Sequence, residues 1–321
     1  MNASVATRGA RVGEGVRRET VDESSAGQRI DNFLLKLCKG VPKSHVYRIL
    51  RSGEVRVNGG RIGPTYRLNE GDEVRVPPLR MASAEDRRPV PAGKPLPVVF
   101  EDDHLLVVDK PSGKAVHGGS GVSFGVIEQL RSQRPEARML ELAHRIDRET
   151  SGLLIVAKKR STLKALHDMM RAGAIEKHYL TLVAGHWHNR LQHVKLPLHK
   201  FLTTDGERRV RVSDEGKPSH SIVRLVSHHG DFSLLDVELK TGRTHQIRVH
   251  LAHLGFPLCG DDKYGDFAFN KVLESRGLGR MFLHASRLSF EHPATGRRMS
   301  LEAALPEELA GFLESLERGH G

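Results

Sequence analysis

Between residues 30 and 76 the apolar positions change period. Ile30, Phe33, Leu34 and Leu37 fall at i, i+3, i+4 and i+7, the stripe of an amphipathic helix. Val46, Ile49 and Leu50 mark a second helix, with Ser44 as its expected N-cap, Gly53 past its end, and Gly40 and Pro42 separating it from the first. Val55 and Val57 then alternate with Glu54 and Arg56, Asn58-Gly59 signals a tight hairpin, and Val74 and Val76 resume the alternation. Farther on, Val98–Phe100, Leu105–Val108, Leu153–Ala157, His178–Ala184 and Leu234–Leu239 read as strands, the first two of them buried and parted by a turn at Asp102-Asp103. Leu288 and Phe290 lead through His292–Gly296 to Met299 and Leu301, an expected antiparallel pair. Ser161 is expected to cap a helix along Leu163, Leu166 and Met170 that ends at Gly173. Ile247, Leu251 and Leu254 imply another, capped by Thr244 and closed by Gly255. Many strands, scattered helices and no regular βαβ alternation predict an α+β domain at 96–321, built on a largely antiparallel mixed sheet flanked by helices and loops. A small αα-hairpin domain at 22–80 precedes it. Residues 1–21 are polar, basic and aperiodic, a disordered tail by expectation, and the proline-rich stretch 81–95 reads as a linker.

Composition narrows the partner. The 321 residues suffice for two domains, and 50 Lys+Arg against 39 Asp+Glu give a net charge of +11, which favours a polyanion. Lys36, Lys39, Lys43, Arg48, Arg51, Arg56 and Arg61 crowd into the first domain, enough to neutralise several phosphates. Aromatic residues are sparse there, so shape and backbone contacts on folded RNA fit better than base stacking. No apolar run reaches the roughly 18 residues of a membrane span, and the N-terminus lacks the apolar core of a secretory signal. Cys38 and Cys259 are too few for a disulfide framework, so the cytoplasm is the expected compartment.

The chemistry concentrates in Glu141-Leu-Ala-His144-Arg145-Ile-Asp147-Arg148-Glu149-Thr150-Ser151-Gly152, where one carboxylate lies between two arginines. Cations nearby favour the ionised form, which suits a nucleophile or charge stabiliser better than a proton donor; alone, the same pattern would be a surface salt bridge. Lys177 and Tyr179 share one face of a strand. On the helix between Thr244 and Gly255, Arg248 stands clear of the apolar stripe, free to reach a carboxylate such as Asp147 and to fix it by a fork-like pair. His245, His250 and His253 suggest a metal site, yet no carboxylate has ligand spacing with them, so no metal is expected. Gly118-Gly-Ser-Gly121 lacks the Lys-Ser/Thr of a P-loop and is read as a flexible loop near RNA.

His144-Arg-Ile-Asp-Arg-Glu-Thr-Ser-Gly152 resembles the active-site motif of the pseudouridine synthases that modify ribosomal and transfer RNA. Ile146 replaces the usual leucine, a volume-conserving change. Asp109-Lys-Pro-Ser-Gly113, Ala115-Val-His-Gly-Gly-Ser-Gly121, Lys177-His-Tyr179 and Thr241-Gly-Arg-Thr-His-Gln-Ile-Arg248 occur in that family's order, and residues 22–80 resemble the S4-type RNA-binding module. The resemblance implies an isomerase that converts uridines of large-subunit (23S) ribosomal RNA, naked or in an assembly intermediate, to pseudouridine. Asp147 would be the nucleophile, with Tyr179 and Arg248 completing the catalytic set. Arg145 would enter the RNA and help extrude the target nucleotide. Arg243, His245 and Gln246, with Lys43, Arg48 and Arg51 of the S4-like module, would bind RNA. The rearrangement is internal to one nucleotide, so no cofactor is expected, and a monomer is the default. A non-catalytic assembly factor would not call for Asp147, Tyr179 and Arg248 together. An RNA N-glycosidase would need a second carboxylate to activate water.

Overall fold

The computed structural model describes residues 15–318 apart from 24, 39–40, 42, 80–92, 119–123 and 205. The chain divides into two compact units, Met1–Pro91 and Ala92–Gly321. Lys39, most of the expected linker 81–95, and the Gly119–Gly121 part of the glycine-rich loop lie outside the described residues. Among the described residues no helix is long and apolar enough to cross a membrane.

In the first unit, β1 (Arg17–Thr20), α1 (Ile30–Leu37), α2 (Lys43–Arg51), β2 (Arg56–Val57), β3 (Gly60–Arg61) and β4 (Glu73–Val76) follow in order. Ile30, Leu34, Val46, Ile49 and Leu50 are fully buried against Val55, Val57, Leu68, Val74 and Val76, so the helical stripes and the alternating valines share one core. Asn58 and Gly59 both take positive φ, 50° and 76°, as a tight hairpin turn requires. Two expectations change. Ser44 lies inside α2, which begins at Lys43. The tail expected at 1–21 is ordered from before Arg17, because β1 pairs antiparallel with β4 and Val21 is buried. Its strand residues are nearly all exposed, so β1 carries no hydrophobic alternation to reveal it.

The second unit runs β5 (Val98–Glu101), β6 (Leu105–Lys110), α3 (Val126–Gln133), β7 (Glu141–Leu142), β8 (Ser151–Ala157), α4 (Arg160–Ala172), β9 (Glu176–Ala184) and β10 (Leu191–Val194). It continues with β11 (Leu198–Leu202), β12 (Arg208–Val212), β13 (Ser221–His229), β14 (Phe232–Leu239), α5 (Gln246–His253), α6 (Phe267–Ser275), β15 (Leu283–Glu291), β16 (Arg298–Glu302) and α7 (Glu307–Arg318). Ten strands form one mixed sheet in the order β10-β13-β14-β9-β15-β8-β6-β5, with β7 on β8 and β16 on β15. Among the described residues only β8 and β15 pair in parallel. Along β6, Leu106 and Val108 face a core shared with Val126, Ile127 and Leu130 of α3 and with Ile247 and Leu251 of α5. Leu105 and Val107 face the opposite layer, with Leu163 and Leu166 of α4, Phe290 and Met299. That is the period-two alternation of a sheet covered on both sides. Central β8 is buried at every position, which explains its unbroken apolar run. Val98, expected to be buried, is 45% exposed at the sheet edge. Ser161 lies within α4, whose N-cap is Lys159, and Gly173 closes that helix at φ 71°.

Candidate active site

The loop before β8 carries Asp147, and three surrounding segments hold its backbone. Gly152 has φ +108°, and a Cβ there would stand 2.3 Å from the Ala285 carbonyl oxygen, so only glycine lets β8 run beside β15. Lys110, wholly buried at the end of β6, donates from Nζ to the carbonyls of Pro111 (2.9 Å), Lys114 (2.8 Å) and Arg148 (3.0 Å). Burial, assisted by the Arg280 charge, pushes its pKa down to about 7, yet three carbonyl acceptors match an ammonium with its three donors. Ser112 Oγ donates to the Glu149 carbonyl (2.7 Å) and Arg148 Nε to that of Gly113 (3.0 Å). Arg280 Nη2 reaches Ser151 Oγ (2.8 Å) from a third segment. The Asp109–Gly113 motif is therefore a brace for the loop.

Asp147 opens into a cavity of about 510 Å³, lined also by Arg145, Lys177, Tyr179, Arg243, His245 and Arg248. Among the described residues no hydrogen bond reaches its carboxylate. Two side-chain nitrogens face it, Arg248 Nη1 at 3.5 Å and His245 Nε2 at 3.9 Å, both from Oδ2. Arg148, expected as a flanking cation, instead points to Gly113 and Glu149, so the facing charge comes from Arg248, remote in sequence. Arg145 stays exposed at the cavity.

Arg248 differs from expectation in its fork. Its Nε and Nη2 bind Asp261 Oδ2 and Oδ1 at 2.7 and 2.6 Å, and only Nη1 is left for Asp147. Both members of the fork are nearly inaccessible, at 3% and 1% exposure. Burial opposes charging Asp261, but the hydrogen bonds and charge of Arg248, with the backbone N–H groups of Lys263 and Tyr264, together outweigh it and hold the carboxyl below its usual range. Thr244 does not cap α5. His245 takes that position in a left-handed conformation, φ 52°, unusual for a non-glycine residue and costly enough to mark a constrained site. Tyr179, from β9, is buried. Burial first and the Asp147 charge second keep its phenol protonated, well above the ordinary range. Lys177 shares that strand face and donates to the Ile175 carbonyl (3.1 Å); burial, with Lys240 nearby, lowers its pKa. His144 Nε2 accepts from Ile155 N–H at 3.1 Å, and burial, helped by the Lys177 charge, pushes its pKa down to about 3.

Arg243 is exposed at the cavity and donates to the Pro218 carbonyl. Gln246, expected to touch RNA, is occupied within the fold. Its Oε1 accepts from Thr241 Oγ1 and Arg243 N–H, and its Nε2 donates to the His220 carbonyl and Ser221 Oγ. It shapes the 241–246 turn instead of facing the cavity with a free amide. His250 is likewise absorbed, by Ser219, Ser221 and the Leu196 carbonyl. Among the described residues no group of three or more His, Cys, Asp or Glu is arranged for a metal ion. Lys43, Arg48 and Arg51 lie exposed on α2 of the first unit. Sequence reasoning passed over Asp261, Tyr264 and Lys110. The one available signal was Gly260-Asp-Asp-Lys-Tyr-Gly265, two acids bracketed by glycines. A Cβ at Gly260 would meet the Arg280 carbonyl oxygen at 2.3 Å, so that loop cannot carry a larger residue there.

Residues 104–253 match the family model for RNA pseudouridylate synthase, and residues 28–74 match the S4 domain. The chain is similar to ribosomal large subunit pseudouridine synthase C of Escherichia coli K12, 53% identical over 92% of this chain and 95% of that protein. It also resembles the synthases C of Yersinia pestis (52%; 93% and 95%) and Haemophilus influenzae (48%; 95% and 96%). Among solved structures, human RNA pseudouridylate synthase domain containing 1 aligns with a TM-score of 0.56 and 26% identity, over 70% of this chain and 90% of that one. The domain containing 4 protein shares the fold at a TM-score of 0.57 and 24% identity, over 68% and 92%.

Proposed function

The chain belongs to the RNA pseudouridylate synthase family, and from that membership we propose that it converts specific uridines of 23S ribosomal RNA to pseudouridine with Asp147 as the nucleophile. It is an isomerase that acts on RNA, with an S4 domain for RNA binding. The reaction breaks the C1′–N1 bond of uridine, turns the uracil, and joins its C5 to C1′, with the C5 proton lost and N1 protonated. No oxidant, phosphate donor or external nucleophile enters that balance.

The observation that carries the reading is the state of Asp147: a carboxylate open to a cavity of about 510 Å³, free of protein hydrogen bonds among the described residues, with a guanidinium at 3.5 Å. The volume suits one extruded nucleoside. An oxyanion whose lone pairs are not engaged can attack the nucleoside. The protonated Tyr179 phenol presents a flat apolar ring with a polar tip, which fits a uracil to be held while detached. Arg145, exposed at the cavity, suits the place left in the RNA by the flipped nucleotide. The exposed cations Lys43, Arg48 and Arg51 suit phosphate contacts that fix placement.

The test is pseudouridine mapping across 23S ribosomal RNA from cells with and without this protein, beside nucleoside analysis of RNA treated with the purified enzyme. Sites that vanish in its absence and return with added enzyme support the reading. Free uracil with abasic sugars would replace it with a glycosidase, and unchanged uridine with a binding protein.

A further inference from the structure

The β11–β12 ribbon stands apart from the main sheet. Its inner face, Leu198 and Val210, packs on Val249 of α5, with Tyr264 at the margin. Glu207, before β12, pairs with Arg209 and with Lys263, the neighbour of Tyr264.

Tyr264 connects this ribbon to the cavity. Its hydroxyl accepts Val210 N–H of β12 at 3.0 Å and lies 2.8 Å from His245 Nδ1. Its ring lies over the Arg248 guanidinium, 5.1 Å from centroid to Cζ, and its N–H donates to Asp261 Oδ1 at 3.1 Å. With Val210 supplying a proton to the phenol oxygen, the hydroxyl's own proton is directed to Nδ1. A neutral His245 then carries its proton on Nε2, the nitrogen 3.9 Å from Asp147 Oδ2. One side chain thus touches the ribbon and both groups that face Asp147.

We propose that Tyr264 is a positioning residue that ties His245 and Arg248 to the β11–β12 ribbon and so keeps both facing Asp147. The inference rests on the reading of Asp147 above. It is tested in the full-length protein with transcribed 23S ribosomal RNA carrying uridine tritiated at C5, following tritium release in single turnovers and RNA binding. Tyr264→Phe keeps the ring over Arg248 and removes both hydroxyl contacts. Its saturated rate is expected to fall about tenfold or more, with affinity within about twofold of wild type. If Tyr264→Phe fails to fold, His245→Asn cuts the same hydrogen bond from the other end and should lower the saturated rate by a comparable factor. A Tyr264→Phe rate within twofold of wild type overturns the positioning role. Wild-type enzyme releasing no tritium would instead overturn the functional reading itself.

Discussion

Arg248 gives its two-pronged fork to Asp261, at 2.7 and 2.6 Å, and meets Asp147 with a single outer nitrogen at 3.5 Å. A fork on Asp147 would occupy both carboxylate oxygens with strong hydrogen bonds and stabilise the resting anion. Fixing the guanidinium from the far side supplies positive charge while leaving the Asp147 carboxylate without a hydrogen bond among the described residues. Asp261 and Asp147 thus divide the work of one arginine, one holding it and the other facing it.

Asp147→Asn is expected to abolish pseudouridine formation while RNA affinity stays within about twofold of wild type. Asparagine matches the volume but lacks the anion, and the fold itself should be unaffected because no described residue hydrogen-bonds the carboxylate. Single-turnover assays beside filter binding check this. Turnover at a tenth of the wild-type rate would exclude Asp147 as the nucleophile.

Asp261→Asn is expected to damage stability and turnover together. It takes the charged fork partner from a guanidinium of 3% exposure and leaves it only the longer contacts to Asp147 and Asp262, a loss of up to about 3–5 kcal/mol for a broken buried pair, readable as a lower denaturant midpoint. Asp261 sits below its ordinary pKa in the fold, so its contribution is present above the unfolded value near 3.8 and is lost as the pH falls through the folded one. The wild-type advantage over the variant should therefore be constant from neutral pH down to about 5 and shrink only in stronger acid. Melting curves for both proteins at several pH values provide the comparison.

Much of the architecture was legible because it rests on repeated patterns. The alternation at Leu105–Val108 and the stripe at Ile30–Leu37 each state which face is buried. β1 was not legible, since a polar strand exposed on both faces owes its place to backbone pairing with β4. The same division runs through the site. Asp147, Tyr179 and Arg248 stood out in motifs, and the structure brings them to one cavity. What orients them did not stand out. Lys110 falls inside the Asp109–Gly113 motif, yet nothing in that motif says that three carbonyls surround its Nζ in the fold. Asp261 lies in a loop without period, so nothing local marks it as the partner of Arg248.

His144 offers a pH prediction with a defined sign. Its folded pKa, about 3, lies below the ordinary 6.5, so unfolding becomes easier as acid protonates the unfolded chain first. Its contribution is complete above about pH 6.5 and declines toward pH 3. His144→Gln keeps an acceptor for Ile155 N–H but cannot titrate. Between pH 7.5 and 5 the wild type should lose on the order of 1–2 kcal/mol more stability than the variant, measured by urea denaturation. Equal losses would mean that the imidazole is solvated well enough to charge in place.

Removing residues 1–91 should separate affinity from chemistry. The remaining unit, Ala92–Gly321, contains Asp147, Tyr179 and Arg248 with their supports Lys110 and Asp261, and its cores are closed by its own strands and helices. The deleted unit carries Lys43, Arg48 and Arg51 exposed on α2, and every described residue that lines the cavity lies in the remaining unit. Each phosphate no longer neutralised should take about 0.7–0.9 from the slope of log K against log salt, so the removal of these three cations predicts a slope shallower by about 2–3. The saturated single-turnover rate should remain within a few-fold of the full chain on a short RNA that the fragment still binds. A salt titration of binding and a single-turnover assay on both proteins decide the matter. An unchanged slope would mean that the first unit does not grip phosphates. A folded fragment that binds saturably without turning over would place part of the catalytic apparatus in residues 1–91.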